Sequence, residues 1–358
     1  MKKIIFIHLY NDISGSPKVL SEVIKIIKKK KIPYQLLTSN HNGFLSKFKN
    51  TKFVFFDRSD NKIFNFFYYF ISQLNLFLEC IKYINKDVIF YLNTAHPFSA
   101  ALAAKLIRKK IIYHIHETSL KPRIMKLFLF KIIKFTAHQI IFVSNFLKRM
   151  EGFGTKKEIV INNFAHNEIK KKKKYRNNFN VLMICSLKEY KGVFNFIDIA
   201  EKLIQNKYIK FRLVTNESKR NIKLFFKYTN LPSNIKIYSK KLNVTKFYID
   251  SNILLNLSDE KKCIETSGLT ILEAISHSLP CIVPTKGGPN EIIKNGFNGY
   301  KISSKKINLI SKKILKIYNN KKIYTQLSQN AYKSSTNYSF YKFRVNILKI
   351  IYKYIKSN

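Results

Sequence analysis

The 358-residue sequence contains no tryptophan, only 10 glycines and only 20 acidic residues against 66 basic ones. Lysine, asparagine, isoleucine, phenylalanine and tyrosine are abundant instead, which is typical of an AT-rich genome. The formal net charge of +46 therefore has two explanations, compositional bias or an anionic partner such as nucleic acid, a membrane surface or a phosphorylated substrate. We favour bias as the main cause. The basic residues are spread along the chain rather than gathered in a recognised motif, which disfavours nucleic acid as the partner.

Cysteine is also scarce. Its four positions, Cys80, Cys185, Cys263 and Cys281, include no close pair, so neither a CxxC metal site nor a disulfide framework is indicated. A reducing cytoplasm fits this pattern. The amino terminus, MKKIIFIHLYND, lacks the layout of a signal peptide because its apolar run is short and contains His8.

Long uninterrupted hydrophobic runs are missing as well. The most apolar long segment, residues 63–84, is interrupted by Asn65, Gln73, Asn75 and Glu79. We therefore expect a buried helix of a soluble domain here rather than a membrane span. A hydrophobic fraction of 46% with 14% aromatic residues is enough for packed cores and excludes a disordered chain.

Strand-like and helix-like segments alternate along the chain. Apolar β-rich runs such as KKIIFIHLY, DVIFYLN and KIIYHIHE are separated by segments with helical spacing, and the alternation restarts at NVLMICS after the lysine run 170–174. Such βαβ alternation predicts parallel sheets covered on both faces. We predict two Rossmann-like α/β domains, residues 1–165 and 166–335, with a site in the cleft where the sheets face each other. A basic helix over 336–358 is expected to cross back to the amino-terminal domain.

Two carboxylates stand out in the stretch ETSGLTILEAISHSLPCIVPTKGGP, residues 265–289. A helix should begin between Ser267 and Thr270, where free N–H groups and the helix dipole favour an anion. Glu265 and Glu273 flank this helix start, and a carboxylate matches the two hydroxyls of a vicinal diol. The layout suits a nucleotide sugar, which has diols at both ends and phosphate between them. The alternative is that Glu265 caps the helix and Glu273 is a solvated surface charge.

This stretch, continued by TKGGPNEIIKNGFNGY, resembles the donor-site signature of retaining glycosyltransferases of family 4, which have the GT-B fold. Further segments resemble other marks of the family in the same order, namely SGSPKVLSEVI, HIHE, IIFVSNFLKRM, VINNF and SLKEYKGVFNFI. The resemblance covers most of the chain, and the paired-glutamate segment is its most specific part.

The resemblance implies roles for individual residues. Lys191 would pair with the donor diphosphate and stabilise the leaving phosphate. Glu265 and His116 would contact the transferred sugar, and Glu273 would hold the ribose hydroxyls. The implied catalytic residues are thus His116, Glu265 and Lys191, and the implied donor-binding residues are Gly15, Ser186, Lys188, Lys191, Gly268, Leu269 and Glu273. No cofactor or bound metal is needed by the family. A zinc site at His114 and His116 has no third ligand at the usual spacing.

The sequence departs from the family pattern at four places. Cys185-Ser186 stands where Gly-Arg is common, so the usual arginine is missing and Lys188 is its candidate replacement. Thr215-Asn216 replaces a glycine-rich turn, Ser267 a frequent aromatic residue and Ser278 a frequent glycine.

The resemblance implies retaining transfer of a sugar from a nucleotide donor to a glycan or lipid-linked acceptor, with the acceptor on the amino-terminal domain. Bacterial surface polysaccharide assembly, such as O-antigen, lipopolysaccharide or capsule, is the expected setting. A cytoplasmic protein, peripheral on the inner face of the plasma membrane, fits this role. The rivals are an inactive membrane-associated partner of an active transferase, suggested by the missing arginine, and a nucleic-acid-binding protein, suggested by the charge.

One segment suits an anionic membrane surface. Residues 121–135, KPRIMKLFLFKIIKF, mix cations with bulky apolar groups, which is a composition favoured at a bilayer interface. The segment carries Lys121, Arg123, Lys126, Lys131 and Lys134 beside Met125, Phe128, Phe130 and Phe135. The alternative is an ordinary helix whose apolar side meets the sheet, and both interpretations are compatible.

Overall fold

The computed structural model describes residues 2–57, 61–118, 120, 122–165, 178–241 and 243–356. The lysine run 170–174 and Lys121 lie outside these residues. The chain divides into two compact units. Unit 1 comprises residues 1–162 and 341–358, and unit 2 comprises residues 163–340.

Unit 1 contains, among its described residues, a parallel sheet of seven strands in the order β3-β2-β1-β4-β5-β6-β7. The central strands are continuous apolar runs because both of their faces are buried. The strands are β1 (Lys3–His8), β2 (Tyr34–Thr38), β3 (Thr51–Phe53), β4 (Val88–Asn93), β5 (Lys110–Ile115), β6 (Gln139–Phe142) and β7 (Glu158–Val160). The helices between them are α1 (Gly15–Lys29), α2 (Lys62–Ile81), α3 (Phe98–Leu106), α4 (Arg123–Thr136) and α5 (Asn145–Glu151).

Unit 2 repeats the plan with a parallel sheet of six described strands in the order β10-β9-β8-β11-β12-β13. The strands are β8 (Phe179–Ile184), β9 (Ile209–Val214), β10 (Ile235–Tyr238), β11 (Ile253–Leu255), β12 (Cys281–Val283) and β13 (Gly299–Lys301). The helices are α6 (Val193–Lys202), α7 (Lys219–Phe225), α8 (Thr245–Ile249), α9 (Leu269–Ser276), α10 (Pro289–Ile292), α11 (Ile307–Asn319) and α12 (Lys321–Ser335).

The last helix, α13 (Phe340–Ile355), belongs to unit 1 from residue 341 onward. Its buried face includes Phe343, Ile347 and Ile351. The Tyr354 hydroxyl donates a hydrogen bond to the main-chain oxygen of His138, which precedes β6, at 3.0 Å.

Both sheets reverse their strand order at one point. In unit 1 the reversal falls between β1 and β4, and in unit 2 it falls between β8 and β11. In open parallel sheets the loops part at this point beyond the carboxyl ends of the strands, and ligands bind there. The residues that follow β1 and β4 in unit 1, and β8 and β11 in unit 2, are therefore expected to line a ligand site.

The expectation of a buried helix at residues 63–84 is wrong in part. The segment is helical, as α2, and one side packs into the core through Leu76 and Cys80. The opposite side is open to water, and Phe66 and Phe70 are exposed by 63% and 62%. Apolar side chains occur on every side of the helix between the polar ones, and only one side packs into the core. Among the described residues, no helix is long and apolar enough to cross a membrane.

Candidate functional site

In unit 2, the loops that follow β8 and β11 are held together by their main chains. The N–H of Asp259 donates to the main-chain oxygen of Tyr190 at 2.8 Å. Gly192 has a φ of +78°, and a Cβ there would lie 2.2 Å from the main-chain oxygen of Leu257. Only glycine fits a left-handed backbone at such close approach. Gly192 thus fixes the position of its neighbour Lys191 against the loop that carries Glu265.

The two charged side chains at this point form an ion pair. Lys191 Nζ lies 3.0 Å from Glu265 Oε2, and both side chains are largely buried. The neighbouring carboxylate raises the pKa of Lys191, so the ammonium stays charged throughout the physiological range. Since a lysine has three donors, Lys191 can hold Glu265 and a phosphate oxygen at the same time.

The site's thiols add no charge. Burial raises the pKa of Cys185 to about 12, and burial also raises the pKa of the Cys263 thiol. Cys185 therefore stays a neutral thiol and adds no negative charge beside a bound phosphate. Lys188 lies in the same loop and its carbonyl accepts from Lys191 N–H at 2.9 Å, but its side chain is exposed. Ser186 lies half-buried in this loop.

The helix predicted to begin between Ser267 and Thr270 begins at Leu269, as α9. Its cap is Gly268, which has a φ of +65° and offers no side chain to the first turn. The first N–H groups of a helix have no acceptor within the helix, so this end is suited to an anion. Leu269 is half-buried beside it.

The Gly-Gly turn after β12 supports the loop before this helix. The N–H of Gly288 donates to the Glu265 main-chain oxygen at 2.8 Å. A Cβ on Gly288 would lie 2.1 Å from the Thr266 oxygen, and one on Gly287 would lie 2.7 Å from the Glu265 oxygen. The two glycines allow the turn to pack directly on the backbone that positions Glu265.

Glu273 lies one turn into α9 and is half-buried. Its Oε2 accepts a hydrogen bond of 2.7 Å from the hydroxyl of Tyr248, a fully buried side chain of α8. Burial and this carboxylate raise the pKa of Tyr248, so the phenol stays protonated and donates. Neither glutamate is a solvated surface charge, and Glu265 does not cap the helix.

The remaining sequence departures lie at positions with defined local structure. Ser267 Oγ accepts from Asn163 Nδ2 at 2.9 Å, which ties the loop before α9 to the VINNF segment. Ser278 follows the end of α9 with a φ of +61°, and glycine is common at this position because the backbone is left-handed there. Thr215 is buried after β9, and its hydroxyl accepts from the N–H of Glu217 at 3.3 Å.

In unit 1, polar side chains cluster at the strand reversal. Asn93, the last residue of β4, accepts through Oδ1 from His116 Nε2 at 2.9 Å. Its Nδ2 donates to the main-chain oxygen of Ser16 at 3.2 Å and lies 3.1 Å from His8 Nδ1, which is also 3.3 Å from the Asn93 main-chain oxygen. Asn93 thereby links β1, the residue after β5 and the start of α1. Gly15, the first residue of α1, is exposed beside Ser16.

The histidines of this cluster are neutral. Burial lowers the pKa of His8 to about 4 and that of His114 to about 3. Burial, and then the neighbouring His114 and His8, hold the pKa of His116 well below its ordinary value. An amide oxygen only accepts, so the His116 proton lies on Nε2 and its Nδ1 is an acceptor. A neutral imidazole with this tautomer can accept a hydrogen bond from a sugar hydroxyl.

Sequence reasoning identified His116 but missed Asn93, and it considered His8 only as an interruption of an apolar run. Both residues end strands that the sequence predicted, so position at a carboxyl end was the available signal. Gly192 and Tyr248 were also missed. Among the described residues, no group of three or more His, Cys, Asp or Glu side chains could hold a metal ion.

Comparisons with known proteins agree with this architecture. Residues 165–334 match the family described as glycosyl transferases group 1. The chain is 24% identical over 280 residues to an uncharacterized glycosyltransferase of Methanocaldococcus jannaschii. This match covers 75% of this chain and 76% of that protein.

Solved structures match nearly the whole chain. HepE of Anabaena, in complex with UDP and glucose, has a TM-score of 0.81 at 16% identity and covers 99% of this chain and 100% of that one. The lipopolysaccharide outer core galactosyltransferase WaaB has a TM-score of 0.67 at 17% identity, with coverage of 98% and 99%. Together with the two parallel sheets, these matches confirm the predicted GT-B fold.

Proposed function

We propose that this protein, a glycosyltransferase whose residues 165–334 form a glycosyl transferases group 1 domain, takes its sugar from a nucleotide-sugar donor held by unit 2. The observation that carries the proposal is the Lys191–Glu265 ion pair, which stands in the same loop system as the amino terminus of α9. A fixed cation and free helix N–H groups suit a diphosphate. The match to HepE, which was solved with UDP and glucose, supports this donor class.

Each proposed role comes from the family 4 resemblance and is compatible with the contacts of its residue. Lys191 binds the diphosphate and stabilises the negative charge that develops as the glycosidic bond breaks, while Glu265 holds the transferred sugar and orients Lys191. Glu273 accepts from the ribose hydroxyls, and Tyr248 fixes its carboxylate for this purpose. His116 accepts from a hydroxyl of the sugar, and Asn93 sets its tautomer. Ser186, Gly268 and Leu269 complete the donor-binding set with main-chain groups, and Gly15 allows close approach at the start of α1.

Retention of configuration, a glycan or lipid-linked acceptor and a role in bacterial surface polysaccharide synthesis are further parts of the proposal. They rest on the family 4 resemblance and on the structural match to a transferase of the lipopolysaccharide outer core. We assign no carboxylate of the chain as a nucleophile. No cofactor or metal enters the proposed reaction, in which the nucleotide sugar is a substrate.

The test is a thermal-shift screen of the full chain against free nucleotides and nucleotide sugars. A ligand that binds only the folded protein stabilises it by about 2.7 kcal/mol at a concentration one hundred times its dissociation constant. The donor should raise the midpoint of unfolding more than the other nucleotides do. A Glu273→Gln variant should lose this increase, although without ligand it should unfold at the same temperature as the wild type. Equal midpoints with every nucleotide would contradict the proposal.

A further inference from the structure

A large apolar surface of unit 1 faces water on α2. Six of its side chains, Phe64, Phe66, Phe67, Phe70, Leu74 and Leu78, are each exposed by between 53% and 63%. They lie outside the part of the helix that packs into the core through Leu76 and Cys80. We refer to these six exposed side chains as the aromatic face.

The aromatic face is unusual in extent and in its lack of charge. No charged residue occurs from residue 63 to residue 78, a length of about 22 Å at the helical rise of about 1.5 Å per residue. The acid that follows, Glu79, is paired with Lys52 and Lys82 at 2.5 Å each. Contiguous apolar patches of this kind mark an interaction surface.

Cations and more apolar groups continue this surface on α4. The ring of Phe98, at the start of α3, lies 6.1 Å from the ring of Tyr69 on α2 and 5.2 Å from that of Phe128 on α4, measured between centroids. Phe98 thus contacts both helices, and α3 packs against each of them. The solvent side of α4 carries a mixed stripe of cations and apolar side chains, which consists of Arg123, Ile124, Leu127, Phe128, Lys131, Lys134 and Phe135.

The structure corrects the composition-based view of this segment. Met125 and Phe130 pack against the core rather than facing solvent. Lys126 pairs with the buried Glu151 at 2.6 Å. Only the mixed stripe of α4 is available to a partner, and Lys131 and Lys134 are its exposed lysines.

We propose that the aromatic face of α2 docks on an anionic bilayer, with its axis in the membrane plane, and that the lysines of the mixed stripe contact the lipid headgroups. Phenyl rings and leucines bury into the boundary between headgroups and acyl chains, while adjacent cations gain from the negative surface potential. The net charge of +46 also attracts the protein to an anionic bilayer at longer range.

The distribution of charge argues against a second copy of this chain, or a nucleic acid, as the partner of the aromatic face. A second copy of this chain would bring another +46 to the contact. Single-stranded nucleic acid needs cations interleaved with the stacking rings along its path, and the aromatic face has none between residues 63 and 78. An anionic bilayer accepts both an uncharged apolar strip and a neighbouring row of cations.

The first experiment is cosedimentation of the full chain with vesicles, in the absence of nucleotide, so that its outcome does not depend on the proposed transfer reaction. Phosphatidylcholine vesicles are compared with vesicles that also contain phosphatidylglycerol. We expect tighter binding to the anionic vesicles, and release as salt rises. Absence of binding to either, or equal binding to both, would overturn the proposal.

Variants separate the two parts of the surface. The Lys131→Gln/Lys134→Gln protein should bind anionic vesicles roughly thirtyfold more weakly, at about 1 kcal/mol per cation and tenfold per 1.4 kcal/mol. Its matched control is Lys321→Gln/Lys322→Gln, two exposed lysines of α12 in unit 2, which should bind like the wild type. Lys126 is left unchanged because its ion pair with Glu151 supports the fold.

The aromatic face is tested by Phe67→Gln/Phe70→Gln/Leu74→Gln, with Leu224→Gln/Tyr228→Gln in unit 2 as the exposed-residue control. The first variant should lose at least about tenfold in vesicle binding because apolar burial is removed. If it bound as tightly as the wild type, the aromatic face would not be the docking surface. If wild type were dimeric without vesicles and this variant monomeric, or if an oligonucleotide bound only the wild type, the occupant would be a second copy or nucleic acid instead.

The absence of tryptophan allows a direct measurement of insertion. A Phe70→Trp protein has a single indole on the aromatic face, and a Tyr228→Trp protein has a single indole on unit 2. Anionic vesicles should shift the emission of the first towards the blue and leave the second unchanged. A blue shift in neither would mean that the chain adsorbs by charge alone and would overturn the insertion of α2.

Discussion

Lys191 is one of 66 basic residues, and its contacts distinguish it from the others. A contact between a charged donor and phosphate contributes roughly 1.5–3 kcal/mol. We therefore expect Lys191→Ala to slow sugar transfer by one to two orders of magnitude, at about 1.4 kcal/mol per factor of ten. Lys188→Ala in the same loop is a separate test of whether this lysine contributes to the diphosphate site. A comparable loss there would show that Lys188 replaces the missing arginine, whereas a wild-type rate would exclude it.

Tyr248 is fully buried and donates a hydrogen bond to the carboxylate of Glu273. Tyr248→Phe removes one hydrogen bond to the carboxylate and keeps the ring that stacks on His277 at 5.3 Å. A hydrogen bond to a charged group contributes roughly 1.5–3 kcal/mol, so the dissociation constant of the free nucleotide should rise by about tenfold or more. Calorimetry measures this change. Unchanged nucleotide affinity in Tyr248→Phe would exclude a positioning role for Tyr248.

A Glu265→Gln protein should instead lose turnover more than nucleotide affinity.

The buried histidines of unit 1 predict a loss of stability in acid. Their pKa values in the folded chain, about 4 for His8 and about 3 for His114, lie below the ordinary value of 6.5 for an unfolded histidine. The unfolded state thus binds more protons below pH 6.5, so this contribution is complete above pH 6.5 and is lost as the pH falls towards 4 and 3. Each histidine contributes about 1.4 kcal/mol per pH unit within its window.

Urea unfolding between pH 7 and 5 measures this slope before most carboxylates titrate. His8→Asn should flatten it, since one of the titrating groups is gone. A slope equal to that of the wild type would show that His8 is protonated in the folded chain.

At the scale of elements, the donor site depends on how loops without regular structure pack on one another. Gly288 has helical dihedral angles, with φ −56° and ψ −33°, so alanine is compatible with its backbone. The cost of Gly288→Ala comes from the Cβ, which would lie 2.1 Å from the Thr266 oxygen. We expect displacement of the Glu265 loop and a loss of roughly 1–3 kcal/mol of stability, with weaker nucleotide binding.

Gly296→Ala is the matched control for this change. Gly296 has a φ of +75°, and a Cβ added there would meet open space, so its alanine variant carries backbone strain without a collision. It should retain nucleotide affinity. Equal affinities in the two variants would show that the Gly-Gly turn does not position Glu265.

At the scale of the whole molecule, the last helix completes a unit whose other residues lie at the opposite end of the sequence. The buried side chains of α13 include Phe343, Ile347, Ile350 and Ile351. Full burial of each contributes about 1.5–3 kcal/mol, and the sum is comparable to the stability of an entire domain. Deletion of 341–358 should therefore unfold unit 1, and nucleotide binding by unit 2 should survive.

Circular dichroism and calorimetry on the shortened chain separate these two effects. A second fragment, residues 163–340, isolates unit 2 and should bind the same nucleotide. Loss of nucleotide binding in this fragment would show that the donor is not held by unit 2 alone.

The sequence by itself determined the α/β class, the two parallel sheets and the start of α9, because these depend on local patterns. Apolar runs bounded by polar loops specify buried parallel strands, and Gly268 followed by LTILEAIS specifies a helix start. The paired glutamates could also be found in the sequence, since both lie within one short stretch.

Only the tertiary structure decided which side chains meet. Asn93 links His8, Ser16 and His116 because the strand order places β1, β4 and β5 side by side, and sequence distance gives no measure of that. Lys191 reaches Glu265 from 74 residues away because Gly192 has no Cβ to collide with Leu257. The exposure of α2 was decided in the same way. Its sequence has apolar side chains on every side, and only the tertiary packing shows that one side is buried while the aromatic face remains in water.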